Sequence, residues 1–434
     1  MRVIELSGPI TSELVRTELP RAEVSVAKAT EVVVPLIDEV KERSLEALKE
    51  HAEKFDGVVP SDFLVPRQAM KAALDELNSE LRDAIELAIS RVRRVSEASV
   101  PKNFSVQVSE DAKVTQRWVP VDSVGLYVPG GKAVYPSSVV MNVVAAQAAG
   151  VPRLAIATPP QKAFGGLPHP TVLATAELLG VTEVYAIGGA TAVAAFAYGV
   201  QEIGLEPVRM VTGPGNVYVA AAKRVLRGQI GIDSEAGPTE ILIIADQSAN
   251  PASVAADLIS QAEHDENAAA VLVTDSKELI ELVQNELAVQ VSHTPNRERV
   301  EVALGGKQSA LVLVPDLATA IEISNEYATE HLEIHTASND DVLSQITNAG
   351  AIFIGEYSPV SLGDYIAGSN HVLPTSEQAK FGPGLGVHSF LRPQQVIEYG
   401  SKGLAEVVEK LAIFANAEGL GAHGDAAQIR FRGN

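Results

Sequence analysis

Hydrophobic and polar positions change their spacing about one quarter of the way along the chain. The stretches "EVVVPLIDEVKERSLEALKEHAEKFDG" and "ALDELNSELRDAIELAISRVRRVSEAS" carry apolar residues at i, i+3, i+4 and i+7, which predicts amphipathic helices. Beyond residue 100 short runs rich in Val, Ile and Leu appear, and Ala-rich helical stretches separate most of them. We predict a strand in each of these runs: "VGLYVPGG", "RLAIATPP", "VYAIGG", "RMVTGPG", "ILIIAD", "AAVLVTDS", "ALVLVPD", "HLEIHTA" and "AIFIGEYS".

Fully apolar strands that alternate with helices are typical of an α/β fold, in which helices cover both faces of a parallel sheet. "SSVVMNVVAAQAAGVPRLAIATPP" and "PASVAADLISQAEHDENAAAVLVTDS" both read as helix, short turn and strand, which favours two α/β units of similar plan. From Phe381 onward the chain shows Gly/Pro loops and one amphipathic helix. A tail of this size cannot form its own core, so it must pack on the rest of the chain or on another subunit.

Composition and charge narrow the possible functions. The chain has 434 residues and 46% apolar residues, enough for two or more cores. Its net charge of −21 disfavours nucleic-acid binding. It contains no cysteine, so any metal must be held by histidine, carboxylate or amide groups. The N-terminus "MRVIELSGPI" lacks the apolar segment of a signal peptide, and no apolar run predicts a membrane span. We therefore expect a soluble, cytoplasmic protein.

Nucleotide-binding motifs are weak in this sequence. "GLGAHG" at Gly419–Gly424 fits the G-x-G-x-x-G pattern, but a helix precedes it where a dinucleotide site requires a strand. "GGKAVYPSS" and "GGKQS" lack the spacing of a phosphate-binding loop. "VTGPGNVYVAAAKR" ends a strand and begins a helix, a position where free N–H groups can bind an anion. A simple tight turn explains this last stretch equally well.

Polar side chains gather at four places in this otherwise apolar chain. In "QAEHD" two potential ligands lie three residues apart and share a helix face, although a lone histidine there is more often a cap or a satisfied polar group. "NEYATEHLEIH" places an adjacent Glu and His at a strand entry, which suits acid/base chemistry with a histidine pKa near neutrality. If the segments converge, they would form a Gln/His/Asp/His metal site beside a Glu–His pair. The residues are Gln261, His264, Glu330, His331, Asp364, His371, Glu418 and His423.

Over nearly its whole length the sequence resembles histidinol dehydrogenases. The first hundred residues match the family only in texture. The matching motifs are "VGLYVPGGKAVYPSSVVMN", "GGATAVAAFAYG", "GPGNVYVAAAKR", "GIDSEAGPTEILIIAD", "QAEHD", "NEYATEHLEI", "GDYIAGSNHVLPT" and "AEGLGAHG". The resemblance implies a four-electron alcohol/aldehyde dehydrogenase that oxidises L-histidinol to L-histidine through histidinal with two NAD⁺, at the end of histidine biosynthesis.

The resemblance also implies roles for individual residues. Glu330 and His331 correspond to the catalytic acid/base pair. One Zn²⁺ per subunit is expected, and it mainly binds and orients the substrate. The implied zinc ligands are Gln261, His264, Asp364 and His423. The implied substrate contacts are Thr239, Gln261, His264, His331, Asp364, Glu418 and His423, and the implied NAD contacts are Tyr127, Thr191 and Asn216.

Two positions depart from the family pattern. The usual "GPSE" is "GPTE" here, and Thr239 keeps the hydroxyl group. The usual "GGAQAIAALA" is "GGATAVAAFA", so Thr191 replaces a glutamine and is too short to make the same NAD contact.

The resemblance predicts two incomplete Rossmann-like parallel-sheet domains, with small helical segments at the N- and C-termini. Residues 1–25 are the N-terminal segment. Residues 26–122 with 240–380 are expected to carry zinc and the acid/base pair, and residues 123–239 to bind NAD. Residues 381–434 are the C-terminal tail, which in this family reaches into the neighbouring subunit's site in a homodimer.

Two rival functions remain at this stage. A related zinc- and NAD-dependent dehydrogenase could act on another small alcohol or diol, although Glu418 favours a cationic amino alcohol such as histidinol. A non-catalytic α/β ligand-binding protein is the other; such proteins are commonly exported. Formation of NADH on addition of substrate separates an enzyme from a binding protein.

Overall fold

A computed structural model describes residues 1–22, 26–130, 134–235 and 237–432. Each apolar run predicted to be a strand is one. The strands are β1 Arg2–Glu5, β2 Phe104–Ser109, β3 Ala112–Pro120, β4 Ser123–Tyr127, β5 Arg153–Thr158, β6 Glu183–Ala186, β7 Met210–Thr212, β8 Gly231–Ile232, β9 Glu240–Ala245, β10 Ala269–Thr274, β11 Ala310–Leu313, β12 His331–His335, β13 Ala351–Ile354 and β14 Leu391–Tyr399.

Helices connect most of these strands. They are α1 Ser12–Glu18, α2 Val26–Arg43, α3 Leu45–His51, α4 Arg67–Asp75, α5 Ser79–Ala98, α6 Pro136–Ala148, α7 Pro170–Leu178, α8 Gly189–Tyr198, α9 Val217–Leu226, α10 Pro251–Ala262, α11 Lys277–Val291, α12 Arg297–Gly305, α13 Leu317–Tyr327, α14 Asn339–Leu343, α15 Val360–Tyr365, α16 Ser401–Ala417 and α17 Gly421–Gln428. A π-helical turn, Ala52–Asp56, extends α3, and 3₁₀ turns lie at Lys162–Phe164, Gln201–Ile203, Gln378–Lys380, Val387–Phe390 and Ile429–Phe431. Among the described helices, none combines the length and the apolar character that crossing a bilayer requires.

Two parallel sheets form the body of the fold. The five-stranded sheet has the order β6-β5-β4-β7-β8, and the six-stranded sheet has the order β1-β11-β10-β9-β12-β13. If β1 is set aside, both sheets have the same topology, with the first strand central, the second and third on one side, and the fourth and fifth on the other. The predicted α/β class with two incomplete Rossmann-like sheets is confirmed, and the repeated plan indicated by the two similar sequence stretches is present.

The sequence pattern missed five of the described strands, β1, β2, β3, β8 and β14, and four of them join the terminal segments and a hairpin to the fold. β1 pairs in parallel with β11 at the edge of the six-stranded sheet. β2 and β3 form an antiparallel hairpin, and β14 of the tail pairs antiparallel with β3. The sequence predicted helical terminal segments, but each of them also contains a strand. Strands at a sheet edge, or in a small exposed sheet, need few apolar residues and give a weak sequence signal.

The helices of residues 26–98 pack on the five-stranded sheet and not on the six-stranded one. α2 lies against α8 and α9, α4 against α7, and α5 against α6. One apolar cluster joins residues of α4 and α5 to β4, and another joins α2 to β5. The sequence-based grouping of residues 26–122 with 240–380 is therefore wrong for these helices. An amphipathic pattern shows that one helix face is buried, but it does not show which sheet covers that face.

Candidate active site

A cavity of about 720 Å³ lies between the two sheets. Loops after the carboxyl ends of β4 and β7 line one side, through Pro129, Gly215 and Asn216. Residues at the amino ends of β9 and β12 line the other side, through Thr239, Glu330 and His331. In the five-stranded sheet, the chain order reverses between β4 and β7, and α/β folds commonly leave a crevice beyond the carboxyl ends of such strands. In the six-stranded sheet, the cavity lies at the amino ends of the corresponding strands, β9 and β12. The cavity therefore joins the two halves of the predicted site.

Glu330 is a buried carboxyl group held by two donors from one short segment. Its Oε2 accepts a hydrogen bond from the Thr239 hydroxyl at 2.6 Å and another from the Glu240 backbone N–H at 3.1 Å. Burial raises the pKa of Glu330 from 4.5 to about 8, although both hydrogen bonds favour the ionised form. At neutral pH the group is mostly protonated, and it becomes a base as the pH rises.

His331 lies next to this carboxyl group. Its Nδ1 is 3.7 Å from Glu330 Oε2, and this nitrogen is buried without a hydrogen-bond partner in the described part of the chain. Burial lowers the pKa of His331 to about 4, while the negative charge of Asp364 opposes the shift. The expectation of a pKa near neutrality is therefore wrong. The imidazole is therefore neutral at physiological pH.

Gln261, His264 and Asp364 come together beside the acid/base pair. Gln261 and His264 lie at the end of α10, and Asp364 lies on α15, across the cavity wall. His264 Nε2 and Asp364 Oδ2 are 3.9 Å apart. Two atoms that each bind zinc at about 2.1 Å can be at most about 4.2 Å apart, so this spacing fits a shared ion. Gln261 Oε1 is buried and has no hydrogen-bond partner among the described residues, as an unused ligand atom would be.

The Thr239 hydroxyl connects the ligand group to the acid/base pair. It accepts a hydrogen bond from Gln261 Nε2 and donates one to Glu330. The amide nitrogen of Gln261 is thereby fixed toward Thr239, which leaves the amide oxygen as the free ligand atom. The replacement of Ser by Thr in "GPTE" retains this function of the hydroxyl group.

Two of the predicted substrate contacts, Glu418 and His423, lie outside this cavity. Both are on the tail, where Glu418 follows α16 and His423 lies on α17, and both side chains are exposed. Neither residue lines the cavity formed by the described part of the same chain. A single chain therefore brings together three of the four predicted zinc ligands.

His371 belongs to the site and was left without a role by the sequence argument. Its Nδ1 faces the Asp364 carbonyl at 3.0 Å, and its Nε2 faces the Ser138 hydroxyl at 3.2 Å. Burial lowers the pKa of His371. His371 thus anchors the loop that presents Asp364, and its place in the Gly-rich "GDYIAGSNHVLPT" stretch was the available signal.

A second group of potential metal ligands lies deeper in the six-stranded sheet. Asp257 of α10 and Glu333 and His335 of β12 place one ligand atom each within 4.8 Å of one another, and all three are buried. His331, Glu333 and His335 alternate along β12, so they share one face of the sheet. In the sequence, the available signal is the alternation of polar residues within this strand. None of the three residues lines the cavity, so they are distinct from the predicted zinc ligands.

The predicted NAD contacts lie near the end of the five-stranded sheet, but only Asn216 lines the cavity. Asn216 caps α9 by accepting hydrogen bonds from two backbone N–H groups of its first turn. Just before it, Gly213 has φ +114°, and a Cβ there would lie 2.0 Å from the Tyr127 carbonyl oxygen, so only glycine fits. The loop therefore follows β7 tightly and directs the start of α9 toward the cavity.

Tyr127 and Thr191 are buried instead. The Tyr127 hydroxyl accepts a hydrogen bond from the Gly189 N–H at 3.0 Å, and burial raises its pKa to about 12. Thr191 Oγ1 is 2.9 Å from His51 Nδ1, and His51 Nε2 is 2.7 Å from Glu39. In this structure both side chains hold the start of α8 in place. A direct contact of either with NAD stays a prediction.

Comparison with known proteins agrees with the motifs and the geometry. The family model described as histidinol dehydrogenase matches residues 19–431. The chain belongs to the histidinol dehydrogenase family. It is 56% identical over 433 residues to the histidinol dehydrogenase of Leifsonia xyli subsp. xyli, covering 99% of both chains. It is 58% identical over 415 residues to that of Thermobifida fusca, covering 96% of this chain and 94% of the relative.

The fold agrees as well. A crystal structure of histidinol dehydrogenase from Elizabethkingia anophelis superposes with a TM-score of 0.94 at 31% identity, covering 99% of this chain and 98% of that chain. The resemblance inferred from the motifs is thus confirmed. The expectation that the chain is an oxidoreductase is confirmed with it.

Proposed function

We propose that this protein oxidises L-histidinol to L-histidine through L-histidinal, with reduction of two NAD⁺, as the last steps of histidine biosynthesis. One observation carries the proposal: a buried Glu330–His331 pair opens into the same cavity as His264 and Asp364. This arrangement combines a proton acceptor, a carboxyl group that ionises on the alkaline side of neutrality, and ligands for a substrate-binding ion. Family membership supplies the substrate class.

Gln261, His264 and Asp364 would hold one Zn²⁺ per subunit, together with His423 of the partner subunit. When bound, the ion supplies a positive anchor for the nitrogen atoms of the substrate. The free Gln261 Oε1 and the 3.9 Å separation of His264 and Asp364 support this set. Oxygen and nitrogen ligands without thiolate also suit Mn²⁺ or Co²⁺, so the metal should exchange fairly readily.

His331 is the base of the first oxidation. It lines the cavity and its imidazole is neutral at physiological pH, so it can take the hydroxyl proton of histidinol while the carbinol carbon gives hydride to NAD⁺. The product of this step is the aldehyde, histidinal. Close positioning of the alcohol against His331 is the main contribution of the surrounding residues.

Glu330 acts in the second oxidation. As a carboxylate it removes a proton from the water that attacks the aldehyde carbon, and His331 assists loss of the second hydride to NAD⁺. Because its pKa is raised to about 8, the ionised fraction of Glu330 increases as the pH passes through that value. Aldehyde oxidation should therefore be faster in mildly alkaline solution.

The surroundings of the cavity favour a cationic substrate. Glu235, Asp265 and Asp364 line it, whereas Arg224 is paired with Glu235. Because Arg224 offsets Glu235 and the bound ion would offset Asp364, Asp265 is the lining carboxylate that attracts the protonated amine of an amino alcohol more strongly than a neutral diol. Glu418 of the partner subunit would add a further carboxylate.

A homodimer would complete the site. The tail and the β2–β3 hairpin expose large apolar side chains, among them Phe104, Val106, Ile413 and Phe414. Exposed apolar groups of this size are usual where a protein partner covers the surface. We propose that a second copy covers them, with each tail placing Glu418 and His423 in the neighbouring cavity.

The test measures NADH formation with histidinol, histidinal, other amino alcohols and small diols. We expect turnover of histidinol and histidinal only. Preference for a diol would instead support the related dehydrogenase that acts on another alcohol. The Glu330→Gln variant should slow histidinal oxidation by roughly 10²–10⁴-fold and histidinol oxidation to the aldehyde much less, since only the second step needs activated water. Equal losses in the two half-reactions would contradict these roles.

A further inference from the structure

Arg21, which lies in the N-terminal segment between α1 and α2, reaches into the base of the active site. Its guanidinium forms two hydrogen bonds with the Glu240 carboxylate, at 2.6 and 3.1 Å. It also donates to the Tyr327 carbonyl and lies 3.9 Å from the centre of the Tyr327 ring. Only 18% of the Arg21 side chain and 2% of the Glu240 side chain are exposed. This bidentate pair is far more buried than the surface ion pairs of the chain.

Glu240 and the preceding Thr239 supply the two hydrogen bonds that hold Glu330. The Glu240 backbone N–H donates to Glu330 Oε2, and Thr239 donates through its hydroxyl group. The Glu240 carboxylate also accepts a hydrogen bond from the Ser376 N–H at 3.2 Å, which ties down the loop that follows His371. The position of the Glu240 side chain therefore influences both donors of Glu330 and one wall of the cavity.

Two buried carboxyl groups, Glu240 and Glu330, meet here, and Arg21 is the cation that contacts the first. A buried carboxylate that loses its partner either takes up a proton or moves toward water. In either case the Thr239–Glu240 segment would change its position or its charge beside Glu330. Tyr327 cannot replace Arg21, because a phenol contributes no positive charge.

We propose that Arg21 is a positioning residue for the second oxidation, because it fixes and neutralises Glu240 and so keeps the Thr239–Glu240 donors aligned on Glu330. This inference rests on the proposed role of Glu330 in activating water. Arg21 touches neither substrate nor reacting atoms. Its effect on catalysis passes through Glu240.

The experiment compares Arg21→Gln, Arg21→Lys and the double variant Arg21→Gln/Glu240→Gln, with histidinol and histidinal supplied separately. Arg21→Gln should lower kcat for histidinal oxidation by about 10–100-fold, the usual loss when a supporting partner of an active-site group is removed, and should affect the first oxidation much less. Arg21→Lys keeps the charge without the planar fork and should retain part of the activity. The double variant removes the unpaired charge and should recover part of the loss.

Arg16→Gln is the matched control. Arg16 lies on the same segment and pairs with Glu377, which Arg21 also contacts at 3.6 Å, but the Arg16 side chain is 61% exposed and does not contact Glu240, so the comparison isolates the Glu240 contact. This variant should keep both half-reactions at the level of the unmodified protein. If Arg21→Gln unfolds, the double variant and Arg21→Lys carry the test, because neither leaves an unpaired buried carboxylate.

Combining the Arg21 variants with Glu330→Gln separates the proposed role of Arg21 from the proposed role of Glu330. If Arg21 acts through Glu330, adding Arg21→Gln (or Arg21→Lys) to Glu330→Gln should cost less than twofold further in histidinal oxidation. Multiplicative losses, or equal losses in both half-reactions of the single variant, would overturn the role of Arg21. If Glu330→Gln alone leaves histidinal oxidation unchanged, the proposed function of Glu330 fails instead.

Discussion

Replacement of Thr239 by valine should move the pH dependence of aldehyde oxidation to higher pH. The Thr239 hydroxyl donates to Glu330 Oε2 at 2.6 Å, and this hydrogen bond lowers the pKa of a carboxyl group that burial raises to about 8. Valine has nearly the same shape as threonine but cannot donate. Glu330 would then keep only the Glu240 N–H, so its ionised form would be less stable.

The size of the shift follows from this one hydrogen bond. A hydrogen bond to a charged group contributes about 1.5–3 kcal/mol, which corresponds to about 1–2 pKa units. The pH at which histidinal oxidation reaches half of its maximum should therefore rise by about 1–2 units in Thr239→Val. Near pH 8 the rate should fall by about 5- to 50-fold, and it should recover in more alkaline solution.

The assay is NADH formation from histidinal across a range of pH. Thr239→Ser keeps the hydroxyl group and should leave the profile unchanged. Metal content must be measured in both variants, since Thr239 also accepts a hydrogen bond from Gln261. A Thr239→Val profile with the unshifted midpoint and full metal content would refute the assignment of Glu330 as the titrating base.

Three further predictions concern metal, subunits and stability. A chelator should abolish histidinol oxidation, and Zn²⁺, Mn²⁺ or Co²⁺ should restore it. The His264→Asn variant should stay folded without binding metal. Full activity of metal-free protein would exclude this ligand set. Inactive His264→Ala and His423→Ala chains, unfolded and refolded together, should regain about one quarter of the normal activity, because half of the dimers are mixed and each has one intact site; no recovery after proven exchange would mean that each tail serves its own chain. Burial, with the adjacent Glu333, raises the pKa of Asp257 from 3.8 to about 8, so the folded chain binds this proton more tightly than the unfolded chain does. The free energy of unfolding should thus decline from about pH 4 to about pH 8 by up to about 1.4 kcal/mol per pH unit. The Asp257→Asn variant should show a smaller decline of the melting temperature over this range. An unchanged slope would show that Asp257 does not titrate there.

The local pattern of the sequence was sufficient for the buried strands and for the parts of the site that lie close together along the chain. A strand covered on both faces is mostly apolar, and for this reason the runs at 241–245 and 269–273 were recognisable without a structure. Gln261 and His264 share a helix end, and Glu330 and His331 are adjacent, so their proximity required no tertiary information. The family motifs then indicated the chemistry of these groups.

Tertiary structure decided the contacts between distant parts of the chain. Apolar spacing showed that α2, α4 and α5 bury one face, but the covering sheet depends on where the whole chain folds. β1 pairs with a strand about three hundred residues away, and Arg21 contacts Glu240 across a separation of 219 residues. Neither partner has a local signal, because each interaction is between residues that only the fold brings together.

The tertiary structure also decided the pKa values of the site residues. The sequence contains a Glu–His pair, and its isolated groups would titrate near their ordinary values. The completed fold removes both from water, which raises the pKa of Glu330 and lowers that of His331. Burial of this kind is the sum of contacts from both sheets and several loops. The sequence alone therefore determined which groups are present, and the tertiary structure determined which of them carry a proton.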